Sequence, residues 1–215
     1  MRIGILGTGV VGKTLATKLV KLGHEVRMGS RKAGNDKAKS WVKEAGTGAS
    51  EGSFADAAAH GEMVFNCTAG MASLDALRAA GIRNLQGKIL IDVSNPLDFS
   101  KGMPPSLSVC NTDSLGEQIQ KTFPEAKVVK TLNTVTSAVM IEPELIKGAH
   151  TMFISGNDAQ AKSAVTRLLN DFGWKEVLDL GDLSAARAQE MYLPLWLRLY
   201  MTLQTANVNV HVVRA

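Results

Sequence analysis

The chain has little cysteine: of 215 residues only Cys67 and Cys110 carry a thiol, too few and too far apart for a disulfide framework or a thiolate metal cage. Both read as small packing or loop residues rather than redox centres. Free thiols, and a Met1 that leads straight into apolar sequence with no leader pattern, point to a cytoplasmic protein. Aromatic residues make up 5% of the chain, and the 24 basic residues are interspersed with 20 carboxylates. Nucleic acid is therefore a poor partner, since it asks for a cationic stripe set with stacking rings. No apolar run reaches membrane-spanning length, and no repeat or low-complexity segment interrupts the chain. The four histidines, His24, His60, His150 and His211, are scattered and read as surface or packing residues, so no general acid or base is identified and no metal set is expected. The net charge of +4 suits a polyanionic small molecule.

Glycine, in contrast, is plentiful, with 20 in the chain, and its placement at the N-terminus is informative. Ile3 to Leu6 reads as a short strand, Gly7-Thr8-Gly9-Val10-Val11-Gly12 as a glycine-rich turn, and Val10 to Leu22 as an amphipathic helix with Val11, Leu15, Leu19 and Leu22 at helical spacing. In a strand–turn–helix unit of this kind the first glycine makes the tight turn and the second admits a pyrophosphate to the backbone. The third lets helix and strand pack closely. The helix N-terminus, with its unpaired N–H groups and positive dipole end, then faces the anion. A second strand follows at Glu25 to Met28, after the helix stop at Gly23.

The residues beyond that strand select the nucleotide. NAD sites place a carboxylate there for the ribose hydroxyls, whereas this chain reads Gly29-Ser30-Arg31-Lys32. Ser30 can donate to a 2′-phosphate, Arg31 can grip it with a forked guanidinium, and Lys32 adds a mobile positive charge, so NADP(H) is expected.

The rest of the chain alternates. Helices are expected at Asn35–Ala45, Phe54–Ala59, Ser73–Ala80, Ser114–Thr122 and Ala159–Phe172. Strands are expected at Gly46–Ser50, Glu62–Cys67, Lys88–Val93, Ala126–Leu132, Thr151–Ser155 and Lys175–Leu180. This alternation predicts an α/β fold with a doubly wound, mostly parallel sheet of Rossmann type over residues 1–180, and a helical extension over 181–215. From Ser184 to about Val210 the pattern is helical, kinked at Pro194, with Met191, Leu195, Leu199 and Leu203 on one stripe and Trp196 and Tyr200 beside it. So broad an apolar surface suggests burial against a second subunit, a homodimer formed through the C-terminal helix. Ligands of such sheets lie at the carboxyl ends of the strands. The turns Cys67-Thr68-Ala69-Gly70 and Ser94-Asn95-Pro96 are thus candidates for the ribose and nicotinamide, and Asn133-Thr134-Val135 for the substrate, with Asn133 able to bond a carboxamide or ring carbonyl. The long connection Leu97–Asp113, with Pro104-Pro105, is a candidate wall or lid.

The segments GILGTGVVGKTLATKLVKLGHEV, GSRK, IDVSNPLD, VVKTLNTV and DLGDLSAAR, the last followed by LPLW, together resemble the NADPH-dependent reductases of the deazaflavin coenzyme F420. The resemblance covers essentially the whole chain. It implies hydride exchange between NADPH and the deazaflavin, with Thr8, Ser30 and Arg31 at the 2′-phosphate, the loops at Thr68 and Asn95 at the nicotinamide, and Asn133 to Val135 near the second ring. The chain departs from the family at Cys67–Met71, where members often carry an isoleucine-proline pair and a further aromatic or His. The smaller side chains leave a more open cleft, in which a flavin or a ferric chelate would also fit.

Hydride transfer requires donor and acceptor carbons held roughly 3–3.5 Å apart in a water-poor slot, and neither a nucleophile nor a metal. Three other readings stay open: an imine reductase or a β-hydroxyacid dehydrogenase, although the chain has little length left for the helical domain such enzymes add, and a non-catalytic NADPH sensor acting through its C-terminal helix.

Overall fold

The computed structural model describes residues 1–215. Its strands are β1 (Arg2–Leu6), β2 (Glu25–Ser30), β3 (Ala49–Ser53), β4 (Met63–Asn66), β5 (Ile89–Asp92), β6 (Leu97–Asp98), β7 (Ser106–Leu107), β8 (Lys127–Thr131), β9 (Met152–Gly156) and β10 (Val177–Asp179). Its helices are α1 (Val10–Lys21), α2 (Asp36–Ala45), α3 (Phe54–His60), α4 (Gly70–Ala80), α5 (Ile82–Leu85), α6 (Leu115–Thr122), α7 (Ser137–Ile141), α8 (Ala159–Phe172), α9 (Ala186–Met191) and α10 (Leu193–Leu203). Eight strands form one sheet in the order β10-β9-β8-β5-β4-β1-β2-β3. The six from β3 to β8 in that order run parallel, while β9 is antiparallel to β8 and β10 follows β9. The expected α/β doubly wound, mostly parallel architecture is therefore the one observed.

Side-chain alternation along the strands builds a core on each face. Ile3 and Ile5 of β1 join Leu15, Leu19, Trp41, Phe65 and Val129 on one side. Leu6 joins Phe54, Val64, Leu77, Leu90 and Val128 on the other. Local chemistry sets the helix starts: Asn35 Oδ1 accepts from the N–H groups of Lys37 and Ala38, and Ser53 with Asp56 forms a capping box. The strand order reverses between β1 and β4, and this switch point places the crevice.

Four features depart from the expected pattern or were absent from it. The strand expected at Gly46–Ser50 runs from Ala49 to Ser53, because Gly46 and Gly48 take positive φ and spend those residues in the turn after α2. The connection Leu97–Asp113 holds a small hairpin, β6 with β7, and its base is tied to the crevice by the Ser108 N–H donating to the Pro96 carbonyl. Helix α7, packed on α1, lay hidden in sequence too short to show a period.

The C-terminal helix is also not one kinked rod. A 3-10 turn at Leu183–Ala185 leads into α9, and Pro194 sits in the first turn of α10, where its missing N–H costs nothing. From Gln204, in the left-handed region, the chain leaves the helix and brings its tail to the residue that precedes β9, with the Thr151 N–H donating to the Val210 carbonyl. The buried residues of α10 are Leu193 and Leu197, while the stripe members Met191, Leu195 and Leu203 face solvent.

Candidate active site

The N-terminal turn has the geometry that its glycines imply. Gly7 adopts φ 122°, and a Cβ there would crowd the Cys67 carbonyl. A Cβ on Gly12 would overlap the Gly7 carbonyl oxygen, so α1 rests directly on the turn. Around Gly9 a Cβ would meet nothing within 4 Å. Gly9 is the N-cap of α1 without a side-chain cap, and the first turn of α1 holds no carboxylate, so its free N–H groups face open space.

Two contiguous depressions spread from this turn and share Gly7, Thr8, Arg31 and Phe54. One, of about 540 Å³, is lined by Ser30 to Asn35; the other, of about 530 Å³, runs past Gly9 to Cys67, Thr68, Ala69 and the face of α4 that carries Ala72, Asp75 and Ala76. Arg31 and Lys32 project into the first as exposed cations. Ser30 does not play the part expected of it: its hydroxyl is buried and donates to the Lys32 carbonyl at 2.6 Å, so it shapes the turn and has no proton left for a phosphate. Glu51 braces the same turn by accepting the Gly34 N–H at 2.9 Å. Val10 stands exposed at the mouth of the crevice and Val11 packs on the core.

Beyond Ala69 the loops are held by a buried polar network. The last residues of β4 and β5 and the last but one of β8 stand side by side, Asn66 opposite Asp92 and Asp92 opposite Lys130, all fully buried. Asn66 Oδ1 accepts from the Thr68 hydroxyl at 2.6 Å, and Asn66 Nδ2 donates to Asp92 at 2.9 Å. Asp92 Oδ1 also accepts the Ser94 hydroxyl at 2.6 Å, so Ser94 points down into the network and away from the crevice. Asn95 and Asn133 clamp each other: Asn95 Nδ2 donates to the Asn133 carbonyl and Asn133 Nδ2 to Asn95 Oδ1, both at 2.9 Å. Asn133 Nδ2 donates in addition to the Gln189 carbonyl, so both its amide hydrogens are committed. Asn133 can thus accept from a carboxamide but cannot donate to a ring carbonyl, which corrects half of its expected role. Its Oδ1 and the Thr134 hydroxyl are buried without a partner. Pro96 is buried beneath this clamp, and Val135 sits in the core with Leu132 and Val139 rather than on the crevice wall.

The thiol of Cys67 is pushed far above its ordinary value by burial and by the nearby Asp92 carboxylate, so it is no nucleophile. Asp75, the one carboxylate lining the crevice at α4, is exposed and bonded to Arg78 at 2.8 Å.

The chain matches a family model for the coenzyme F420-dependent NADP oxidoreductases over residues 2–96. It is 28% identical to the F420-dependent NADP reductase of Methanocaldococcus jannaschii, over 99% of this chain and 98% of that protein. Over 91% of its length it is 30% identical to the rat metalloreductase STEAP3, of which it spans 38%. A crystal structure from Arthrobacter sp. FB24, assigned as a candidate F420-dependent NADP reductase, superposes with a TM-score of 0.95 at 52% identity, each chain covered in full. The chain belongs to the coenzyme F420-dependent NADP oxidoreductase family. It is an NADP-dependent oxidoreductase, and NADP(H) is its nucleotide.

The residues of this NADP oxidoreductase fit that nucleotide. The open space at Gly9 and the free N–H groups of α1 suit a diphosphate, Arg31 and Lys32 suit an additional phosphate, and buried unpaired acceptors at Asn133 and Thr134 suit an amide donor. Sequence reasoning missed Phe54 and Asp75, which line the crevice, and Glu51, which braces its turn, because they arrive there only through the order of the strands. It also missed Asn66, Asp92, Lys130, Gln189 and Glu190, whose signal was a set of polar residues at the ends of otherwise apolar strands and in a helix.

Proposed function

We propose that this enzyme transfers hydride between NADPH and the deazaflavin ring of coenzyme F420. The observation that carries the reading is full-length similarity at 52% identity to a structure of that assignment, combined with a crevice that runs from the glycine turn to the small side chains of Cys67, Thr68 and Ala69. Bound in the crevice, the nicotinamide supplies the hydride. The chain's part is to bind and orient. Gly7, Gly9 and Gly12 with the N–H groups at Val10 and Val11 receive the diphosphate, and Thr8, Arg31 and Lys32 receive the 2′-phosphate in the turn that Ser30 shapes. The loops Cys67–Ala69 and Ser94–Pro96 flank the nicotinamide, with Asn133 and Thr134 as acceptors, and the core residue Val135 supports them from below. Positioning of this kind removes several kcal/mol of the barrier without acid–base help.

A second reading, reduction of a flavin or ferric chelate by NADPH, draws on the 30% identity to the rat metalloreductase. An imine substrate and a non-catalytic NADPH sensor are the other outcomes that the assay separates. Loss of absorbance at the reduced-nicotinamide band is followed with F420, FMN, a ferric chelate and a cyclic imine in parallel. Oxidation fastest with F420 is expected; preference for another acceptor would replace the reading, and none at all would favour the sensor.

The same reading places the enzyme in the cytoplasm as a homodimer. Its contact is the apolar side of α10, where Leu195, Tyr200, Met201 and Leu203 are exposed. A monomer in light scattering at micromolar concentration would remove the dimer from the proposal.

A further inference from the structure

The nucleotide-binding elements above make no use of the most deeply buried charges in the molecule. Lys130 is fully buried, and its Nζ donates to Asp92 Oδ2 at 2.8 Å and to the Ser94 carbonyl at 2.6 Å, and pairs with Glu190 Oε1 at 2.8 Å. Asp92 and Glu190 are as inaccessible as the lysine. Burial opposes the ammonium's charge, yet the two carboxylates outweigh it and hold the lysine above its ordinary value. A buried ion pair is seldom more stabilising than apolar side chains of the same volume, so stability alone does not account for this one.

What the cluster touches does. Through Asp92 it holds the Ser94 N–H and hydroxyl and, by way of Asn66, the Thr68 hydroxyl. Through the Ser94 carbonyl it sets the peptide that leads to Asn95. Glu190 accepts the N–H groups of Leu115 and Gly116 at the start of α6, while its neighbour Gln189 receives Asn133. Three loops from β4, β5 and β8, together with α9, thus share one cation. The turn around Arg31 is braced separately, by Ser30 on Lys32 and by Glu51 on Gly34.

We propose that Lys130 is a positioning residue: its ammonium, bonded to Asp92, Glu190 and the Ser94 carbonyl, keeps the loops at Thr68, Ser94–Pro96 and Asn133 at the spacing that seats the nicotinamide end of NADPH. The proposal rests on the nucleotide orientation given under Proposed function. It predicts that the two ends of the nucleotide respond separately.

The test compares NADPH with 2′,5′-ADP, which has the adenosine and 2′-phosphate but no nicotinamide, by calorimetric titration of the full chain. Lys130→Met leaves two carboxylates facing each other, so Lys130→Met/Asp92→Asn is run beside it. That pair keeps the cluster's net charge at one negative and leaves Glu190 bonded to α6. In the double variant, 2′,5′-ADP affinity is expected within roughly twofold of the parent while NADPH weakens by about tenfold or more, the cost of one misplaced hydrogen bond. Equal loss for both ligands, or a double variant that does not fold, would mean that Lys130 acts only through the fold. Unchanged NADPH affinity would mean that the loops keep their spacing without it. Each of these results overturns the proposal. A parent chain that binds no 2′,5′-ADP would overturn the nucleotide reading instead.

Discussion

Gly9 and Gly12 lie three residues apart in one turn, yet a methyl group at each is expected to fail for opposite reasons. At Gly9 the backbone is ordinary (φ −76°, ψ −177°) and a Cβ would meet nothing within 4 Å. Gly→Ala at a compatible site stabilises by about 0.4–1 kcal/mol through the unfolded chain, and loss of a favourable N-cap residue opposes it by a similar amount. The melting temperature of Gly9→Ala should therefore hardly move. The methyl would occupy the space into which the N–H groups of α1 point. If two charge-assisted bonds to the diphosphate are lost, at about 1.5–3 kcal/mol each, NADPH binding weakens by about 100-fold or more. Gly12→Ala drives its methyl into the Gly7 carbonyl and levers α1 off β1. Overpacking of that kind costs about 1–3 kcal/mol, and at about 2–4 °C per kcal/mol for a chain of this size the melting temperature falls by about 2–12 °C. Calorimetry and fluorescence titration of NADPH on both variants decide the matter. If Gly9→Ala binds NADPH within about threefold of the parent, the diphosphate does not lie on this turn, since less than 1 kcal/mol is too little for even one lost charge-assisted bond.

Arg31→Ala should weaken NADPH by about 10–100-fold, the worth of one charge-assisted pair, and leave NADH binding unchanged. Thr134→Val removes a buried hydroxyl without a partner, so it should raise the melting temperature by about 2–4 °C while weakening NADPH; a fall in melting temperature would show that the hydroxyl is satisfied in solution. A disulfide reagent at pH 8 should titrate the exposed Cys110 well before the half-buried Cys67 in the folded chain, since burial and Asp92 hold the latter thiol above its ordinary value. Glu117 is held below the usual carboxylate range, chiefly by its hydrogen bonds to Arg187. Its contribution to stability is full above that range and is lost as pH falls through its depressed value. Arg187→Met should therefore be less stable than the parent at neutral pH, and the two should converge in acid denaturation.

Where the candidate site lies within one contiguous strand–turn–helix, its geometry was legible from residue order. The close packing at Gly7 and Gly12, the open space at Gly9 and the exposed charges of Arg31 and Lys32 sit at positions set by covalent connectivity. Ser30 lies in the turn beside Arg31, but its proton goes to the Lys32 carbonyl, a choice that depends on how the turn closes. Asn133 is the same case across a longer distance, since both of its donors are taken by residues 38 and 56 positions away. The apolar stripe on the C-terminal helix shows the limit of periodicity: the spacing identified a helix, but the side that is buried is the one bearing Leu193 and Leu197.

Composition and motif by themselves determined the α/β fold and pointed to NADP(H), because both follow from local backbone pattern and charge. The buried row of Asn66, Asp92 and Lys130 was decided only by tertiary structure. Nothing in VVKTL distinguishes a solvated lysine from a sealed one until the strand order sets Lys130 in register with Asp92 and folds Glu190 back over both. Long-range juxtaposition alone could supply the partners that make such a burial tolerable.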